Sequence, residues 1–178
     1  MRNTGIALAD YNIETGDWSV TKVAIVQTTR QVTKTVRQNS DDYRCAREMI
    51  RGVDKFMLEH DVKFVFAELP SGGQDARAAF AFGITVATMA GITPPLIQVT
   101  PLEVKAATGT KNATKKQMIE WAMGQYPNAG WFMRKLKGEM VPLGDNEHPA
   151  DACAAISAGV LTAQFAQTLA LAHGMRSA

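Results

Sequence analysis

The chain has 178 residues, 46% of them apolar, which is enough for one domain with a buried core and too apolar for a disordered segment. A net charge of +2 is too small to point to any partner, and no segment reaches the roughly 18–20 continuous apolar residues of a membrane span. Cys45 and Cys153 sit in helical patterns without Cys-x-x-Cys spacing, so buried free thiols in a reducing compartment are expected rather than a zinc site. The N-terminus lacks a signal-peptide layout, which makes the cytoplasm the expected location.

In chain order, residues 4–10 and 18–28 read as strands joined by the turn Glu14–Thr15–Gly16–Asp17, an antiparallel hairpin. Residues 41–59 carry a helical stripe from Tyr43 to Met57, with Ser40 or Asp41 as N-cap. Val62–Glu68 is mostly apolar and reads as a strand buried on both faces. A small-residue helix over 74–90, a strand over 96–99, a short helix over 102–107 and an amphipathic helix over 113–123 follow. Residues 127–147 read as loop-rich, and an Ala-rich helix runs from Pro149, at its first position, to about Ala172. The order of hairpin, helix, strand, helix, strand and helices defines an α/β layered domain without repeats or linkers, a single domain over residues 1–178.

Two stretches carry the chemistry. Phe64–Val65–Phe66–Ala67–Glu68 is an apolar run that ends on a carboxylate and then meets Pro70–Ser71–Gly72–Gly73, as a buried strand delivering an acid to its end would. Glu147–His148–Pro149–Ala150–Asp151 places a histidine and a carboxylate three apart at the mouth of a helix, on one face. Between Lys105 and Lys137 there are seven Lys or Arg and a single acid, Glu120, a local excess that suits a polyanion. Taken singly, each of these residues has an ordinary structural role: Glu68 as a strand-end acid, His148 as a helix-cap residue, Asp151 as a partner of the helix dipole, and the lysines as surface charge. Together, a strand carboxylate with oxygen and nitrogen ligands on a helix is what a divalent-metal phosphodiesterase needs.

With these residues in order, the chain resembles the RuvC-type Holliday-junction resolvases of the ribonuclease H-like superfamily over nearly its whole length. Asn3–Thr4–Gly5–Ile6–Ala7 is similar to the start of that family's second strand, and Phe66–Ala67–Glu68 to the strand bearing its second acid. Ala79–Phe80–Ala81–Phe82–Gly83 resembles the small-residue helix that follows. Pro101–Leu102–Glu103–Val104–Lys105 and Asn112–Ala113–Thr114–Lys115–Lys116 resemble its DNA-contacting basic segments, and His148–Pro149–Ala150–Asp151–Ala152 its C-terminal acidic motif. The resemblance implies a ribonuclease H-like mixed sheet flanked by helices. It also implies a homodimer and two-metal hydrolysis of branched DNA with Mg²⁺ or Mn²⁺. Glu68 and Asp151 are then expected to bind metal, and His148 to ligate metal or orient water. Lys115 would act in catalysis, and Lys105, Lys111, Lys115 and Lys116 would contact DNA. Glu147 is a further candidate ligand, whereas His60 and His173 read as solvated helix-end residues. The dimer interface would come from the helix 74–90 or the segment 131–140.

The chain departs from the family pattern in two places. The family's first catalytic Asp ends a strand preceding the Asn-Thr-Gly match, which here begins at residue 3, so Met1 is expected to be an internal methionine of a longer ancestral reading frame. Asp10 ends the second strand and is expected at the opposite end of the sheet. No aromatic residue follows Glu68 within Leu69–Gly73, where some resolvases place one, so activity on flaps or other branched DNA is expected beside junctions. A branched-DNA binding protein of the same fold with impaired catalysis is the main alternative. A sugar-kinase-like or ATPase domain is another, with Ser71–Gly72–Gly73 as its sole phosphate-loop candidate.

Overall fold

The computed structural model describes residues 3–31, 33–69, 75–110 and 112–176. Strands β1 (Asn3–Tyr11) and β2 (Trp18–Gln27) are hydrogen-bonded neighbours. Their turn is built by Asn12, whose Oδ1 accepts from the N–H groups of Glu14 and Thr15 at 2.9 and 3.2 Å. Gly16 closes the turn with φ +78°, a backbone conformation that glycine adopts freely.

Helix α1 (Gln38–Glu59) begins before the expected position, with Arg37 as N-cap. Asp41 does not cap it. The Asp41 side chain is buried and accepts from Arg44 Nη2 at 2.7 Å and from the N–H of Gln31 at 3.2 Å. Arg44 also donates to the Thr29 carbonyl at 2.6 Å and to Glu48 at 2.7 Å. This guanidinium therefore ties the segment before the helix to its first two turns, and its hydrogen bond holds the Asp41 carboxyl below the usual carboxylate range.

Strand β3 (Val65–Glu68), helix α2 (Ala76–Ala90) and strand β4 (Leu96–Val99) follow, with β3 paired to β4. β3 is shorter than expected, and only Ala67 is fully buried. It has a single partner strand among the described residues. Helices α3 (Pro101–Ala106) and α4 (Lys115–Gln125) each open with a capping box. Thr100 Oγ1 accepts from the N–H of Glu103 at 3.3 Å while Glu103 accepts from the N–H of Thr100 at 2.7 Å. Thr114 and Gln117 repeat the arrangement at 3.3 and 2.9 Å.

Two expectations are corrected in the C-terminal third. The loop-rich stretch also contains an unforeseen two-stranded hairpin, β5 (Met133–Leu136) and β6 (Glu139–Pro142), with Met133 opposite Pro142 and Leu136 opposite Glu139. Its residues are almost all exposed, so there is no apolar-polar alternation for a sequence pattern to reveal. The long C-terminal helix is two helices, α5 (Glu147–Gly159) and α6 (Ala163–Arg176). Thr162 separates them: its Oγ1 donates to the Gly159 carbonyl at 2.7 Å and accepts from the N–H of Phe165 at 3.2 Å, capping α6. Pro149 is the third residue of α5, still in the first turn where no N–H bond is required.

Backbone contacts gather the chain into two units. In one, drawn from residues 25–65 and 69–96, α1 buries Cys45, Met49 and Val53 and packs on α2. The other comprises 5–24, 66–68 and the chain from Ile97 onward. Its core is built around α5, whose Ala150, Cys153 and Ala154 have no exposed surface, with Val20, Val99, Val104, Met118 and Trp131 against it. Both cysteines are free and buried, as expected. Burial pushes the Cys153 thiol up to about 12, so it packs as a small apolar group and is inert as a nucleophile. No single helix among the described residues is long and apolar enough to cross a membrane.

Candidate carboxylate centre

The site forms where α5 begins. Asn146, fully buried, precedes the helix and grips Phe132 from both sides. Its Oδ1 accepts from the Phe132 N–H at 3.0 Å and its Nδ2 donates to the Phe132 carbonyl at 2.8 Å. The next residues, Glu147, His148 and Asp151, lie in the first turns of α5. Replacing Asn146 by Ala leaves the Phe132 N–H without its partner, at about 1–3 kcal/mol, and takes one of two donors from the Phe132 carbonyl, which keeps the Leu143 N–H. Asn146→Ala is expected to lower the thermal midpoint by roughly 5–10 °C, read by circular dichroism. An unchanged midpoint would show that the clamp carries no stability.

Two glycines set how closely the strands approach this helix. A Cβ on Gly5 of β1 would run into the backbone of His148 and Pro149. A Cβ on Gly159, at the other end of α5, would run into the ring of Phe66, two residues before Glu68. Phe66 in turn packs edge-on against Phe165 of α6 at 5.1 Å between centroids, and Phe165 packs the same way against Tyr11. β1 therefore meets the start of α5, and β3 reaches along it with Glu68 at its end. The other two helices of the site, α3 and α4, pack directly on α5 and bring Lys105 and Lys115 with them.

The charges interact accordingly. Burial, then the Asp151 carboxylate, raise Glu68 above its ordinary value, with Lys105 opposing. Burial, then Glu147, raise Asp151, opposed by His148, Lys115 and Lys105. Both residues keep exposed surface, and the Asp151 carboxylate acts on Glu68 from within electrostatic reach. Lys115 Nζ lies 2.8 Å from Glu147 Oε2, and that hydrogen bond raises the ammonium above its ordinary value and keeps it charged. His148 Nε2 is 3.7 Å from Glu147 Oε1.

Electrostatic coupling and short contacts thus link Glu68, Asp151, His148, Glu147, Lys105 and Lys115 in the structure. Lys116 points along α4 to Glu120 at 3.6 Å. Lys111 and Pro70–Gly73 lie outside the described residues. Asp10 is five residues beyond Gly5, roughly 17 Å along an extended strand, and so stands at the far end of β1 from His148. His60 ends α1 with its ring 4.5 Å from that of Phe56; the side chain of His173 lies outside the described ones. Sequence reasoning missed Gly5, Gly159 and Asn146 as determinants of this geometry. A glycine inside a strand was the available signal for Gly5; a buried asparagine leaves none.

Among the described residues no group of three or more His, Cys, Asp or Glu side chains is gathered closely enough to hold a metal ion. Glu68 and Asp151 lie within electrostatic reach of one another, and both offer the oxygen donors that a hard cation takes. Oxygen donors of this kind suit hard divalent cations better than thiophilic ones.

An α/β fold of this kind is already seen in solved structures. The chain has a RuvC-like fold. It superposes on RuvC of Thermus thermophilus with a TM-score of 0.53 and 15% identity, over 89% of this chain and 86% of that one. A second structure, T. thermophilus RuvC in complex with a Holliday junction substrate, matches at TM-score 0.57 and 14% identity, over 94% and 90%. No protein-family model and no curated protein sequence matches the chain.

Proposed function

We propose that this protein is a metal-dependent, structure-selective endonuclease acting on branched DNA, in recombination and repair. The observation that carries the reading is the apposed pair Glu68 and Asp151, flanked by Lys105 and Lys115, on a fold shared with RuvC. In this reading both compact units belong to one nuclease domain, and the pairs β1–β2 and β3–β4 are the halves of a ribonuclease H-like sheet. A branched substrate with two equivalent strands to cut calls for a two-fold homodimer, working in the cytoplasm.

Glu68 and Asp151 would hold Mg²⁺ or Mn²⁺, with His148 as a further ligand or the group that orients a water. When bound, a divalent cation polarises the phosphate and lowers the pKa of a coordinated water. Lys115 is 80% exposed and paired with Glu147 at 2.8 Å, so its ammonium is charged, positioned and open to an arriving phosphate. Lys105, beside both carboxylates, opposes their negative charge and would meet the same phosphate from α3.

A second reading, a protein of this fold that binds branched DNA without cutting it, is favoured by the lack of a three-ligand group among the described residues. The test is cleavage of a labelled four-way junction in Mn²⁺, beside single- and double-stranded controls. It uses this chain and a version extended upstream in its reading frame. Junction cleavage above the controls by either form supports the nuclease. Tight junction binding by both without cleavage moves the protein to the second reading, and neither binding nor cleavage removes both.

A further inference from the structure

We propose that the β5–β6 ribbon is a second DNA-contacting element, one that lies in a groove of a duplex arm beside the carboxylate centre. The inference rests on the nuclease reading and adds an element to it. The ribbon springs from the site itself: its base is closed by the Leu143 N–H on the Phe132 carbonyl at 2.9 Å, and Asn146, which clamps Phe132, directly precedes Glu147 and His148.

The register fixes what each face presents. Lys135 stands opposite Met140 and Arg134 opposite Val141, so successive residues put a cation on either face of the ribbon. At the tip, Lys137 and Gly138 form a two-residue turn with φ +50° and +94°. Glycine or asparagine is the usual choice at such a position, and a lysine there is held in a conformation that L side chains rarely adopt. The ribbon thus keeps a third cation at its outermost point at a cost in backbone strain. Among the described residues no carboxylate lies within ion-pair reach of Arg134, Lys135 or Lys137. Leu136 and Met140 are left 48% and 60% exposed.

An interface between protein copies would gather the apolar side chains on one face and remove the cations from it. Cations on both faces and at the tip suit a groove with a phosphate wall on each side. A two-stranded ribbon is of a size that the major groove admits, and the apolar side chains between the cations can pack on base edges.

The experiment is fluorescence anisotropy of a labelled four-way junction over a salt series, with the wild-type chain, Arg134→Gln/Lys135→Gln/Lys137→Gln, and Lys137→Gly. Each lost phosphate contact should reduce the slope of log K against log salt by about 0.9. The triple variant is therefore expected to lose about 2–3 from the slope and to bind roughly ten- to a hundredfold more weakly near 0.1 M salt. Lys137→Gly relieves the strained turn and so stays folded; it should lose about 1. Unchanged slopes in both variants, with wild-type binding intact, overturn the ribbon proposal alone. Unchanged slopes with loss of self-association in sedimentation assign the ribbon to a protein interface and overturn it too. Absence of salt-dependent binding by the wild type defeats the nuclease reading and the ribbon with it.

Discussion

Glu68→Gln is expected to lower metal-dependent cleavage of branched DNA about a thousandfold, with a thermal midpoint equal to or above that of the wild type. The substitution is nearly isosteric and removes one charge from the pair that would hold the cation. Losing that charge forfeits several kcal/mol of charge stabilisation in the transition state, and about 4 kcal/mol corresponds to three orders of magnitude in rate. The stability half of the expectation follows from the direction of the shifts. Burial and the neighbouring Asp151 raise Glu68 in the folded protein. A carboxyl raised on folding keeps its proton at pH values where the unfolded chain has released it. Stability therefore falls as pH rises through the window above the ordinary value of 4.5, and at neutral pH the ionised pair opposes folding. A neutral amide lifts that opposition. Cleavage rates of both proteins in Mn²⁺, in whichever form of the chain cuts, and their melting curves at neutral pH decide the matter. A variant that cuts normally rules out Glu68 as a ligand. One that melts far below the wild type marks it as a structural acid instead.

Gly5→Ala is expected to cost about 3 kcal/mol, the upper range for overpacking, and to lower the thermal midpoint by roughly 6–12 °C. The added methyl would meet the main chain of His148 and Pro149, which cannot swing aside without moving the start of α5. Gly159→Ala meets the ring of Phe66, a side chain that can turn if Phe165 gives way. Its effect should be smaller, and the comparison of the two by thermal unfolding is the check. Equal and small losses at both positions would show that the close approach of β1 to α5 does not set the geometry of the site. Because His148 and Asp151 ride on the same turn, a folded Gly5→Ala protein should also lose affinity for Mn²⁺.

The sequence carried the α/β order of elements, because apolar periodicity changes from two to three and a half residues wherever strand gives way to helix. It carried the turn at Glu14–Asp17, the burial of both cysteines, and the acid at the end of β3 with the His-Asp pair on α5. It did not carry the β5–β6 ribbon, whose two faces are both wet and leave no pattern. Nor did it carry the break at Thr162, where a capping threonine interrupts an otherwise continuous apolar helix. Asp41 looked like a helix cap, and became instead the buried partner of Arg44, since a carboxylate that finds a guanidinium at 2.7 Å gains more than a cap offers.

Taken alone, then, the sequence determined which residue types were available for phosphate and cation chemistry and on which kind of element each would sit. These are local properties, set by spacing along the chain. Only the tertiary structure decided that Glu68, from β3, stands near Asp151, from α5, and that Lys105 and Lys115 arrive from two further helices. Those distances depend on where glycines allow close approach and on which helix faces pack together, neither of which any window of sequence contains.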